Sequence, residues 1–165
     1  MALATILHLV GAAELEKLRA RPTWLNELQP PDGSTFFTHY ACSIHYFVLG
    51  EAWPAGTKQR PLGGMLFGFA SVPCPTLENG SFGVVAPHQV RWVLDALAGI
   101  DLAGVRHRID RADLDELEAQ EVDDYEILVE DEGDPADVIE AELESLVELY
   151  KRAARGRYAI VSYTT

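Results

Sequence analysis

Residues 134–163 read DPADVIEAELESLVELYKRAARGRYAIVSY, and this stretch decides the fold class. Asp134 can cap a helix, Pro135 suits a first helical position, and Asp137 favours the positive end of the helix dipole. Ile139, Leu143, Leu146, Val147 and Tyr150 recur at helical spacing and make one apolar stripe. Glu140, Glu144 and Glu148 stack on the polar side, and Lys151, Arg152 and Arg155 crowd the C-terminal end, where cations are favoured. Gly156 is expected to stop the helix, and residues 158–163 read as a closing strand. A long amphipathic helix that hands the chain to a strand requires other strands to pair with.

Working outward, residues 3–10 (LATILHLV) are short, apolar and β-branched, and read as a buried strand. Gly11 breaks it, residues 12–21 form a helix with Leu15 and Leu18 three apart, and Pro22 stops that helix. A loop at Pro30-Pro31-Asp32-Gly33 precedes a helix expected over residues 35–49. On a helical wheel Tyr40, Ile44, Phe47 and Val48 fall within about 80° of Phe37. Residues 51–60, with Trp53, are a loop, and the Gly-rich run 62–70 (LGGMLFGFA) reads as a strand. Residues 81–85 form another strand, leading to a helix headed by Pro87, with Val90, Val93, Leu94 and Leu97 at i, i+3, i+4 and i+7. Two short helices follow, over 102–109 and 111–120, the second capped by Asp110. The order implies a single α/β domain over 1–165: a small mixed sheet with helices packed on it, a layered sandwich.

The 165 residues carry 26 acidic and 13 basic side chains, a net charge of −13, and are 48% hydrophobic. That apolar content excludes a disordered acidic tail, and the charge opposes binding to nucleic acid or an anionic membrane. The excess is concentrated. Between Asp101 and Glu148 there are 19 acidic residues and three arginines, whereas the rest has 7 acidic and 10 basic residues. A slightly basic body therefore carries one strongly acidic third. Two cysteines, Cys42 and Cys74, make no disulfide scaffold, the start has no basic leader region, and no apolar run could span a bilayer. A cytoplasmic protein with reduced thiols is expected.

Chemical motifs are few. His39, Cys42 and His45 share the expected helix, but His39 and His45 lie about 9 Å apart along it and about 120° around it, a poor fit to one tetrahedral ion. His39 and Ser43 stand at i, i+4 without an identified third group or oxyanion hole. Cys74 sits between two prolines in a loop, open to oxidation. Gly63, Gly64 and Gly68 lack the Lys-Ser/Thr of a phosphate loop and fit a close backbone approach better. The acidic run 130–134 would place Leu128 at the first ligand position of a calcium loop, where it cannot coordinate.

Several strings in this order resemble the YfbM-like family of small bacterial proteins of unknown function. They are Ala13-Glu14-Leu15 after the first strand, residues 44–50 (IHYFVLG), Pro61-Leu62-Gly63, the strand and Pro-headed helix over 82–90, the acidic stretch around Tyr125, and residues 150–154 (YKRAA). The resemblance implies an α/β layered fold, supplies no activity, and singles out His45 as the polar residue on an apolar element.

The leading functional expectation is a non-enzymatic binding domain that uses an acidic surface of Glu121, Asp123, Asp124, Glu126, Glu130, Asp131 and Glu132 against a basic protein. An inhibitor or immunity-type role is one form of it. The second is a small-ligand protein or enzyme with a pocket formed by His45, His39, Ser43 and Tyr125. A third uses the carboxylates of residues 123–134 for a divalent cation. No cofactor and no metal ligand set is assigned.

Overall fold

The computed structural model describes residues 3–53, 59–130 and 133–165. Five strands form one sheet in the order β2-β1-β5-β4-β3, with β1 Thr5–Val10, β2 Thr35–Thr38, β3 Ala70–Pro73, β4 Ser81–Val85 and β5 Ala159–Thr164. Every pairing is antiparallel, which corrects the expected mixed sheet. The reason lies in the connections. The chain leaves β4 at Val85, beside Ile160, and its helical excursion re-enters the sheet at Ala159 at the same end. Likewise it leaves β1 at Val10 and re-enters at Thr35, opposite His8.

The excursions carry the helices. After β1 comes α1 (Ala12–Ala20), where the Glu14 carboxylate accepts from the Gly11 N–H at 2.7 Å, followed by a 3-10 segment, Pro22–Glu27. After β2 comes α2 (Ala41–Leu49), which ends on Gly50 in the left-handed region at φ 75°. After β4 come α3 (Pro87–Leu97), α4 (Leu102–Asp110), α5 (Leu114–Ala119), α6 (Asp124–Glu130) and α7 (Pro135–Gly156). Asp134 caps α7 as expected, its carboxylate accepting from the Ala136 N–H at 2.9 Å.

Two cores sandwich the sheet. Leu7, Leu9, Phe36, Val85 and Ile160 face the helical layer and meet Ile44, Phe47, Val90, Val93, Leu143, Leu146 and Tyr150. Val10, Phe82, Val84, Ala159 and Val161 face the other way, against Leu15, Leu18, Leu25, Cys74 and Leu77. Cys74 is therefore a fully buried core thiol and not an exposed loop cysteine. The Tyr150 hydroxyl, deep in the helical layer, donates to the Met65 carbonyl at 2.8 Å.

Three local expectations are corrected. Residues 35–38 are a strand, with Phe36 and Thr38 inward and Phe37 half exposed. Their alternation of burial has period two, and pairing with β1 overrides the helical pattern that begins only at Ala41. Of residues 62–70, expected to form a strand, only Ala70 does, as the first residue of β3. A 3-10 turn over Pro61–Gly64 and a tight bend at Gly68 (φ 75°) lay this segment against β4, and a side chain at Gly83 would collide with the Phe67 carbonyl. Asp113 rather than Asp110 caps α5, accepting from the Asp115 and Glu116 N–H groups at 3.0 and 3.1 Å. At the end of α7, Gly156 is the last helical residue under the Tyr158 ring, and Arg157 takes the left-handed turn at φ 55°.

Candidate functional site

The carboxylates of the acidic third divide into those that hold the fold and those that do not. Asp124 belongs to the first group. Its carboxylate accepts the N–H of Cys42 at 2.7 Å and of Ser43 at 2.8 Å, and the Ser43 hydroxyl donates to it as well. These are the free donors in the first turn of α2, so Asp124 caps that helix from across the fold. Burial raises its pKa against the hydrogen bonds that lower it. Asp124 is thus removed from the expected interaction surface, because its oxygens are spent inside. Burial next to Asp124 and Asp123 pushes the Cys42 thiol up to about 12, which makes it a poor nucleophile.

Arginines absorb more of the acid. Arg106 on α4 pairs with Asp137 at 2.6 Å, Glu140 at 3.1 Å and Asp134 at 3.4 Å around the start of α7. Arg108 instead donates to the carbonyls of Phe47 at 2.7 Å and Val48 at 3.4 Å, closing the C-terminal end of α2. Two of the three arginines in the acidic third are therefore committed to the framework.

What remains gathers on α5 and α6. Leu114, Leu117, Val122 and Tyr125 form the floor of a cleft of about 460 Å³, with Glu118, Asp123 and Glu126 on its rim. Leu117, Val122 and Tyr125 are buried from below, whereas Leu114 is 54% exposed. Tyr125 packs on Phe47, ring centroids 5.3 Å apart, and burial keeps its phenol protonated. Among the described residues, none of Glu118, Asp123 and Glu126 is in an ion pair. Between the helices the chain turns at Glu121, which has φ 60°. The Glu121 N–H donates to Glu118 O and the Val122 N–H to Leu117 O, each at 3.0 Å, the hydrogen-bond pair of a helix ending that normally uses glycine. Glu121 and Glu130 are exposed nearby, and Asp131 and Glu132 lie outside the described residues.

The four side chains expected to share a pocket do not converge. Ser43 serves Asp124, Tyr125 floors the α5–α6 cleft, and His39 stacks edge-on against Phe37 with centroids 4.8 Å apart. His45 is fully buried with Trp53 and Phe67, at centroid distances of 5.6 and 5.8 Å. Neither ring nitrogen has a hydrogen-bond partner among the described residues. Burial lowers its pKa to about 4, although the backbone of Glu51 and Gly63 lies close enough to oppose that shift. The ring is neutral at ordinary pH. Among the described residues no cluster of three or more His, Cys, Asp or Glu could hold a metal ion, and no helix is long and apolar enough to cross a membrane.

Leu114 and Glu118 escaped the sequence reading, which opened the interaction surface at Glu121. An available signal was the Leu114, Leu117 pair at i, i+3 inside a run that is otherwise almost wholly acidic.

The fold is similar to the crystal structure of a protein of unknown function, YfbM from Escherichia coli. The TM-score is 0.67 at 16% identity, and the match covers 98% of this chain and 99% of that one. No curated protein matches the chain. The family described as a domain of unknown function, DUF1877, matches residues 1–163, and the chain belongs to it.

Proposed function

We propose that the protein is a non-enzymatic binding domain whose α5–α6 cleft receives a lysine or arginine side chain of a basic protein partner. One observation carries the reading: an apolar floor of Leu114, Leu117, Val122 and Tyr125 ringed by Glu118, Asp123 and Glu126. A long cationic side chain is amphipathic in the same way. Its aliphatic stem covers the floor while its charged head reaches the rim carboxylates. Glu121 supports the same reading, since a glutamate stands in a left-handed turn where glycine is less strained. An inhibitor or immunity-type role is one form this binding takes, in a cytoplasmic setting that keeps Cys42 and Cys74 reduced.

The test is calorimetric titration with lysine-rich and arginine-rich hexapeptides at low and moderate salt. The cleft variant Glu118→Lys/Asp123→Lys/Glu126→Lys is compared with Glu16→Lys/Asp95→Lys/Glu148→Lys, which changes the net charge equally but elsewhere on the surface. The expected result is a loss of roughly tenfold or more in affinity for the cleft variant, with little change in the control. Equal losses in the two variants would show only the attraction of an acidic protein for cations and sink the proposal.

A further inference from the structure

Of the three arginines in the acidic third, Arg106 gathers carboxylates and Arg108 closes α2, which leaves Arg111. It follows directly on α4 and is exposed. Its guanidinium makes no hydrogen bond or ion pair among the described residues, although 19 acidic side chains belong to the same third of the chain. Arg111 lines a second cleft, of about 280 Å³, together with Arg108, Tyr46, Phe47 and Leu117. Two carboxylates line that cleft as well, and neither pairs with Arg111. Asp113 caps α5, and Glu116 accepts from the Gln120 amide at 3.4 Å.

This cleft and the α5–α6 cleft flank the same helix. At about 100° per residue, Asp113 and Glu116 fall on one side of Leu117, and Leu114 and Glu118 on the other. Leu117 itself is 2% exposed and lines both clefts. Their floors adjoin there, and the Tyr125 ring of one cleft meets the Phe47 ring of the other at 5.3 Å. α5 is thus a ridge with unpaired carboxylates along one flank and an unpaired guanidinium along the other. Arg108 reinforces the second flank. Its Nε and Nη2 donate to the Phe47 and Val48 carbonyls, which hold its charge in place.

We infer that the basic partner's segment crosses α5, its lysine or arginine in the α5–α6 cleft and an aspartate or glutamate three residues away against Arg111. This rests on the reading of the α5–α6 cleft as a cation site and adds a second, acidic determinant to the partner. A helix with its side chains is about 10–12 Å across, and an extended chain advances about 3.3 Å per residue, so a spacing of three spans the ridge. Charge complementarity selects a carboxylate for the second position, since a guanidinium can pair with it through two parallel N–H donors. Tyr46 and Phe47 supply an apolar wall for its short aliphatic stem. The arrangement also discriminates among basic ligands. The overall field of a chain at −13 works against a carboxylate, and only a local cation turns one into a gain.

The experiment measures the binding of capped tetrapeptides by NMR titration of the backbone amides. Lys-Ala-Ala-Glu and its reverse, Glu-Ala-Ala-Lys, are compared with Lys-Ala-Ala-Gln and Gln-Ala-Ala-Lys. On overall charge alone the glutamine peptides bind better. The expected result is the opposite for at least one order, with a gain of roughly threefold in affinity from glutamate over glutamine. Arg111→Glu should cancel that gain. Lys-Ala-Ala-Lys should bind this variant better than Arg91→Glu, which changes the net charge equally on exposed α3 surface. Thermal melting checks that both variants keep the fold. Glutamine binding as well as glutamate in both orders, or a glutamate gain that persists in Arg111→Glu, overturns the inference. The α5–α6 reading then still stands if Glu118→Lys/Asp123→Lys/Glu126→Lys weakens the glutamine peptides. If that cleft variant binds every peptide as the wild type does, both proposals fall.

Discussion

The start of α7 and the pair α5–α6 belong to the same acidic third, yet their carboxylates do opposite things. At α7, Asp134 caps the helix and Arg106 gathers Asp134, Asp137 and Glu140. On α5, α6 and the turn between them, Glu118, Asp123 and Glu126 stand around an apolar cleft without a cationic partner among the described residues. Sequence composition makes these two regions look alike. What separates them is whether a donor from elsewhere in the fold reaches the oxygens, and that reach determines which carboxylates stability depends on.

The largest test of this contrast is Asp124, which sits beside the cleft in sequence but works for the framework. Asp124→Ala leaves the Cys42 and Ser43 N–H groups and the Ser43 hydroxyl without their acceptor, and should cost about 2–4 kcal/mol in denaturant unfolding. Glu126→Ala, two residues away and exposed, should stay within about 0.5 kcal/mol. Equal effects would erase the distinction between the two classes.

A group that burial keeps neutral sharpens the same point from the other side. The pKa of His45 in the fold is about 4, below the ordinary 6.5, so the unfolded chain takes up the proton first as pH falls. Its contribution is therefore whole above pH 6.5 and is lost on descending to about 4, by up to ~3 kcal/mol. Unfolding of the wild type and His45→Phe, measured from pH 7 to 4, should diverge over that window, with the phenylalanine variant the less acid-sensitive. Parallel curves would show that the imidazole is satisfied in the fold. A smaller gain is expected at Glu121. Glu121→Gly relieves the left-handed backbone at φ 60° and should raise stability by about 0.5–1 kcal/mol, read as a small increase in Tm.

Much of the fold was legible because local signals agreed. The cap at Asp134, the stripe through Ile139, Leu143 and Tyr150, and the β-branched runs at β1 and β5 all survive in the structure. Where the reading went wrong, a tertiary partner decided the outcome. Thr35-Phe36-Phe37-Thr38 becomes a strand because β1 offers it hydrogen bonds, and residues 62–70 look like a strand because Gly63, Gly64 and Met65 are buried from several sides. The acidic asymmetry was visible in the sequence, and so was the oddity of His45. The role of Asp124 was not, because its partners lie 81 and 82 residues away and nothing local distinguishes it from Asp123.

The central pairing of the sheet has a kinetic consequence. β1 and β5 join Thr5 to Thr164 and Val10 to Ala159, so β1 waits for its main neighbour until all the helices between them have been synthesised. Until then β1 can zip only onto the four residues of β2, and one of its flanks stays unpaired while the helices accumulate. Such distant pairing predicts slow folding for a chain of this size. It also makes the nascent chain, before β5 emerges, the state most exposed to aggregation through an open strand.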